Sequence, residues 1–100
     1  MRPRVLKEAE AELLEAAIWY EGHREGLGWE FYECIVETCK SIGKDPLRFP
    51  VYEGTTLSRE VRRALVDRFP FVVIFEIRED EILIVAIAHT SRKANYWQNR

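Results

Sequence analysis

Five residues late in the sequence carry side chains suited to chemistry: His89, Arg92, Tyr96, Trp97 and Arg100. A histidine exchanges a proton near neutral pH. An arginine holds a phosphate through two parallel hydrogen bonds. Tyrosine and tryptophan stack on a nucleobase. Together they could form a metal-free ribonuclease site, with His89 or Tyr96 as the acid–base group and Arg92 stabilising the phosphorane. The same residues also suit a structural role, a strand-end histidine bonded to backbone and a tryptophan laid over a sheet edge. Their spacing matches no strict nuclease motif.

Arg62, Arg63 and Arg68 form a second basic group. On a strand, Arg62 and Arg63 point to opposite faces, so only one can share a face with the first cluster. These arginines can pair with glutamates of the same chain or with an acidic segment of a partner. Zinc held by His23, Cys34, Cys39 and His89 is disfavoured, because no pair has the short spacing of structural sites. Five helical steps put Cys34 and Cys39 about 140° apart around a helix, so they should not bridge. Nothing near either thiol would activate it as a nucleophile. Gly26-Leu27-Gly28 lacks the third glycine of a phosphate loop and follows no strand. The residues imply neither a metal nor a cofactor.

The elements that position these residues divide the chain in two. From Lys7 onward Ala9, Leu13, Ala16, Ala17 and Tyr20 recur at helical spacing, with Glu8, Glu10, Glu12 and Glu15 between them. This helix should end near residues 22–26. A second, with Phe31, Ile35, Thr38 and Ile42 as its stripe, should start after Gly28 and stop at Gly43, before Asp45-Pro46. The short link makes the two an antiparallel hairpin. A loop over 44–60 follows, then strands over Val61–Asp67, Phe71–Arg78 and Glu81–His89. Glu79-Asp80 is the expected tight turn, and Val5–Leu6 is compatible with a short first strand.

Two helices cannot cover both faces of such a sheet. The expected fold is α+β: a helical hairpin on one face of a small, mostly antiparallel sheet. Phe71, Val73, Phe75 and Ile77 should face the helices. Val72, Ile74, Glu76 and Arg78 should line a face left partly open for a partner.

With 100 residues the chain is expected to be one domain. At 47% hydrophobic and 32% charged it is globular rather than disordered. The net charge of −2 argues against holding nucleic acid through bulk positive charge. That charge is uneven. Residues 1–50 hold seven Lys/Arg against ten Asp/Glu, and residues 51–100 hold eight against seven. The longest apolar run, Ile82–Ala88, is far short of a membrane span, and no signal-peptide core follows the start, so a cytoplasmic location is expected.

The order of motifs resembles a known family. They are Glu8 to Ala17, Trp19-Tyr20-Glu21, Gly26-Leu27-Gly28, Phe31, Arg48-Phe49-Pro50, Val61 to Leu65, Arg68-Phe69-Pro70-Phe71, Val85 to His89, Arg92 and Tyr96-Trp97. Their series is similar to the ParE branch of the RelE/ParE superfamily, toxins of type II toxin–antitoxin, or plasmid stabilisation, systems. The resemblance implies a β-α-α-β-β-β fold. It implies an antitoxin that wraps the toxin in a hetero-oligomer, covering the sheet face at Val72 and Ile74 and the hairpin at Trp19 and Tyr20. ParE-like members inhibit DNA gyrase, and RelE-like members cleave mRNA on the ribosome. A gyrase inhibitor needs only a docking surface, expected at Arg62, Arg63, Arg68, Arg92, Tyr96, Trp97 and Arg100. The alternatives are a RelE-like ribonuclease using His89, Arg92 and Tyr96, and an inactive homologue that only binds antitoxin. Ser91 and Ala94 stand where relatives often have arginine and proline.

Overall fold

The first helix begins where carboxylates favour it: Glu8 and Glu10 sit in its first turn, facing the positive end of the helix dipole. In the computed structural model, which describes residues 2–53 and 59–100, this helix α1 spans Lys7–His23. Helix α2 spans Leu27–Lys44. The turn between them is held by one side chain. The Glu21 carboxylate accepts from the Gly26 N–H at 2.8 Å and the Gly28 N–H at 2.9 Å. Gly26 takes a left-handed φ of 87°, open to glycine at little cost. Gly28 lies inside α2, not before it as the sequence suggests. A Cβ there would come within 2.3 Å of the Ala17 carbonyl oxygen, so glycine lets the two helices approach.

The strands are β1 (Arg4–Val5), β2 (Glu60–Leu65), β3 (Phe71–Ile77) and β4 (Ile82–His89), with a 3-10 turn at Pro46–Arg48 after α2. The sheet order is β1-β4-β3-β2. The β2–β3 and β3–β4 pairs are antiparallel, and β1 runs parallel to β4. The expected α+β class and hairpin-on-sheet layering are observed. The predicted strand ends move by a residue or two: β2 starts one residue earlier and stops two earlier, β3 stops one earlier and β4 starts one later. Strand β1 sits one residue earlier than expected. Glu79-Asp80 forms the two-residue turn, where the Arg78 N–H donates to the Glu81 carbonyl at 2.9 Å. Of the predicted loop over 44–60, the part around Pro50–Tyr52 runs beside β2: the Tyr52 N–H donates to the Val61 carbonyl and the Arg63 N–H to the Pro50 carbonyl. Residues 54–58 of that loop lie outside the described residues.

Strand β4 carries an irregularity that shapes everything beside it. Ile74 of β3 pairs with Ala86, but Phe75 pairs with Ile84, so Val85 is an extra, bulged residue. The bulge puts Val85 and Ala86 on the same face, with Leu83. Ile82, Ile84 and Ile87 face the helices.

The helix-side core gathers Phe31, Ile35, Ile42, Val73, Phe75 and Ile84, with Tyr20 and Phe69 packed against it. Phe71, Val73, Phe75 and Ile77 face the helices, as the alternation predicts. The second face departs from the sequence expectation. Much of it is covered: Trp97, Tyr96, Tyr52 and Leu6 lie over it, and Ile74 is buried beneath them. Trp97 is only 1% exposed and shares its cluster with Ile74, also 1% exposed. A large aromatic removed from water is worth several kcal/mol, which offsets part of the cost of ordering the segment that carries it.

Candidate functional site

Residues 92–100 are held by a carboxylate from the other end of the sequence. Glu12 of α1 shares the sheet-facing stripe of Ala9, Leu13 and Ala16, and its side chain is 15% exposed. Glu12 Oε1 accepts from the Ile87 N–H at 3.0 Å and from Arg100 Nη1 at 2.9 Å. Glu12 Oε2 accepts from the Tyr96 hydroxyl at 2.5 Å and from Arg100 Nη2 at 3.2 Å. Arg100 Nη1 also donates to the Val85 carbonyl at 3.1 Å. Strand β1 pairs only with Leu83 and Ile84, so the Val85 carbonyl and Ile87 N–H would otherwise lack partners on that edge. An ion pair from outside the sheet stands in for a strand.

Tyr96 lies under two cations, with the Arg92 guanidinium 4.0 Å and the Arg100 guanidinium 5.1 Å from its ring centre. Burial pushes the Tyr96 phenol well above the usual tyrosine range, and the hydrogen bond to the Glu12 carboxylate adds to this. Arg92 Nη1 stands 3.8 Å from Glu12 Oε2. Arg59 fixes the same segment from the other side, donating to the Gln98 carbonyl at 3.0 Å and pairing with the buried Glu76.

His89, at the end of β4, is exposed. Its Nδ1 accepts the Ser91 N–H at 3.0 Å, so the neutral ring carries its proton on Nε2 and presents a donor. His89, Arg92 and Tyr96 are neighbours, as the sequence suggests. The Tyr96 hydroxyl, however, is committed to the Glu12 carboxylate.

The second basic group disperses. Arg62 donates to the Phe49 carbonyl at 2.6 Å and to Glu60 at 2.8 Å, tying down the segment after α2. Arg68, at a left-handed φ of 70°, pairs with Glu30 at 2.8 Å, as does Arg24 at 3.1 Å. Hydrogen bonds from both arginines hold the Glu30 carboxyl below its usual range. Arg63 alone joins the His89 cluster. Trp97 and Ile74, expected to meet a partner, are interior residues, and Arg100 is committed to Glu12. Val72 is half-buried beside them.

Trp19 is 57% exposed and Tyr20 half-buried, and both line a groove of about 670 Å³ with Phe71, His89 and Arg92. His23 stacks 3.9 Å from Trp19 and donates from Nδ1 to its carbonyl. A larger groove of about 970 Å³ runs between the hairpin and β1, lined by Leu13, Leu14, Tyr32 and Val36. Cys34 and Cys39 are free thiols, and burial pushes Cys39 up to about 11. Among the described residues no helix is long and apolar enough to cross a membrane.

Sequence reasoning missed Glu12 as the organising residue, grouping it with Glu8, Glu10 and Glu15 between the apolar positions. The signal was present: it falls three residues after Ala9 and four before Ala16, on the buried stripe.

The family model for the ParE toxin of the type II toxin–antitoxin system parDE matches residues 4–94. The chain belongs to the ParE toxin family. The solved structure of the chromosomal ParDE TA system from P. aeruginosa is similar to this ParE-family chain, with a TM-score of 0.69 and 22% sequence identity. That match covers 89% of this chain and 95% of the other. At this identity the likeness speaks to the fold, which is the one expected. Among curated proteins no significant match is found.

Proposed function

We propose that this ParE-family toxin arrests growth by binding DNA gyrase and is neutralised by a cognate antitoxin. The match to the ParE toxin model over residues 4–94 carries the reading. The side-chain chemistry supports it. Tyr96 gives its hydroxyl to Glu12 and is held protonated, so the His89–Arg92–Tyr96 trio is better suited to binding than to moving a proton. The target surface of this reading is the exposed rim at His89, Arg92 and Arg63. Trp97 and Arg100 support that rim from beneath, whereas Arg62 lies on the other face of β2 and braces the segment after α2. The antitoxin of this reading covers the groove at Trp19 and Tyr20 and the apolar groove beside β1.

Plasmid supercoiling by purified gyrase tests the proposal. The toxin should slow supercoiling, and pre-mixed antitoxin should restore it. Unimpaired supercoiling at a large molar excess of folded toxin would overturn it. Induction without antitoxin separates a toxin from an inactive homologue, since only the toxin stops growth.

A further inference from the structure

On the second face of the sheet, a shallow cleft of about 260 Å³ opens between β2, β3 and the segment after β4. Its floor is apolar: Val72, Ile74 and Trp97. Its walls carry Arg63, His89, Arg92 and Lys93, and no aspartate or glutamate lines it among the described residues. Every polar side chain that gives the cleft its charge is therefore a donor. His89 adds a donor because Ser91 has claimed its other nitrogen. In a chain of net charge −2 this concentration of one sign is local, not a general property of the surface.

Arg63 and Lys93 carry no ion pair among the described residues, whereas most other arginines near the sheet are paired with a carboxylate. Leaving cations together without counter-charge costs electrostatic energy that an anionic ligand would recover. The anion has to be acceptor-rich.

The aromatic groups decide which kind of anion fits. A nucleotide needs an open ring face on which to stack its base. The Tyr96 ring already carries the Arg92 and Arg100 guanidiniums. Tyr52 stands edge-on to Trp97 at 5.1 Å, and Trp97 is buried. The rim instead offers Leu65, 69% exposed, on an outer strand. An exposed leucine beside converging cations matches a peptide with carboxylates and an apolar side chain.

We propose that this cleft docks an acidic, leucine-containing segment of the protein target through Arg63, His89, Arg92 and Lys93. The inference rests on the target-binding reading above and names the chemistry of the partner's surface. His89 and Lys93 enter the docking set, and Arg62, Arg68, Trp97 and Arg100 leave it.

Fluorescence anisotropy with a short labelled peptide of glutamate and leucine provides the test. The folded protein should bind it at low salt, more weakly as salt rises. The Arg63→Gln/Lys93→Gln double variant keeps the apolar stems and should weaken binding about tenfold or more. Equal unfolding midpoints for parent and variant show that the fold is kept. A lysine–leucine peptide should not bind. No binding of the acidic peptide, or binding unchanged in the double variant, overturns the proposal. So does a single-stranded oligonucleotide that binds more tightly than the peptide and loses that binding in the same variant. The double variant also enters the supercoiling assay. If the parent fails to inhibit gyrase yet binds the peptide through these residues, gyrase is the wrong target and the cleft stands. If both proteins inhibit gyrase equally, the cleft is not the docking site and the gyrase reading stands.

Discussion

Glu12 and Arg100 meet through two hydrogen bonds, of 2.9 and 3.2 Å, across 88 positions of sequence. Each also bonds the backbone of β4, Glu12 at the Ile87 N–H and Arg100 at the Val85 carbonyl. The pair thereby completes an edge of the sheet where β1 has ended, and it anchors the segment that roofs the second face.

Removing one partner should cost more than the pair contributes, because the survivor is left partly buried and uncompensated. Glu12→Ala is expected to lower unfolding free energy by about 3 kcal/mol. Arg100→Ala should cost less, since the Glu12 carboxylate keeps Tyr96 and Ile87. In a double-mutant cycle read by urea denaturation, the two should couple by about 1–2 kcal/mol. Additive losses would show that the pair is not a working contact.

Trp97→Ala should destabilise by about 3–5 kcal/mol through the cavity left against Ile74 and Val85. Trp97→Phe should recover part of that loss. A docking tryptophan would behave differently: its removal would leave the unfolding midpoint unchanged and affect only partner binding.

Gly28→Ala should destabilise by about 1–3 kcal/mol, as the new methyl meets the Ala17 carbonyl and forces the hairpin apart. Gly22→Ala is the control, because a Cβ there meets nothing within 4 Å. Thermal unfolding of the two variants should differ clearly, with only Gly28→Ala melting lower than the parent.

Tyr96 ties stability to alkaline pH. Its pKa is higher in the folded state than the ordinary value near 10, so the folded form binds this proton more tightly. The contribution is complete below about pH 10 and is lost as pH rises toward the folded value. Buried Cys39, pushed up from 9.0 to about 11, acts in the same direction and begins lower. Unfolding free energy should therefore start to fall above about pH 9 and fall further above about pH 10. In Tyr96→Phe the fall should be shallower, and what remains should diminish further on Cys39→Ala. Identical slopes in all variants would contradict the assignment.

On the proposed reading, in which the antitoxin covers the apolar grooves beside α1 and β1, antitoxin binding should raise the melting temperature by mass action. At a hundredfold excess over the dissociation constant the gain is about 2.7 kcal/mol. Calorimetry with and without a saturating antitoxin segment measures it, and no shift would refute binding to the native state.

The sequence by itself determined the local structure. The apolar stripe from Ala9 to Tyr20, the glycines around residue 26 and the β-branched strands specified hairpin, turn and sheet, because each signal acts over a few residues. It also placed Phe71, Val73, Phe75 and Ile77 on the helix face, since strict alternation survives in β3. The motif order identified the family. Only the tertiary structure decided which polar residues are free. Arg62, Arg63 and Arg68 are equivalent as sequence, yet one braces a loop, one lines a cleft and one pairs with Glu30. The bulge at Val85 breaks the alternation of β4, and it aims a carbonyl that Arg100 then bonds. Trp97 became core because the segment after β4 folds back over a face that has no helix to cover it. These outcomes depend on contacts between residues far apart in the chain. No local pattern encodes them, and they were fixed by which surfaces the folded backbone left to be covered.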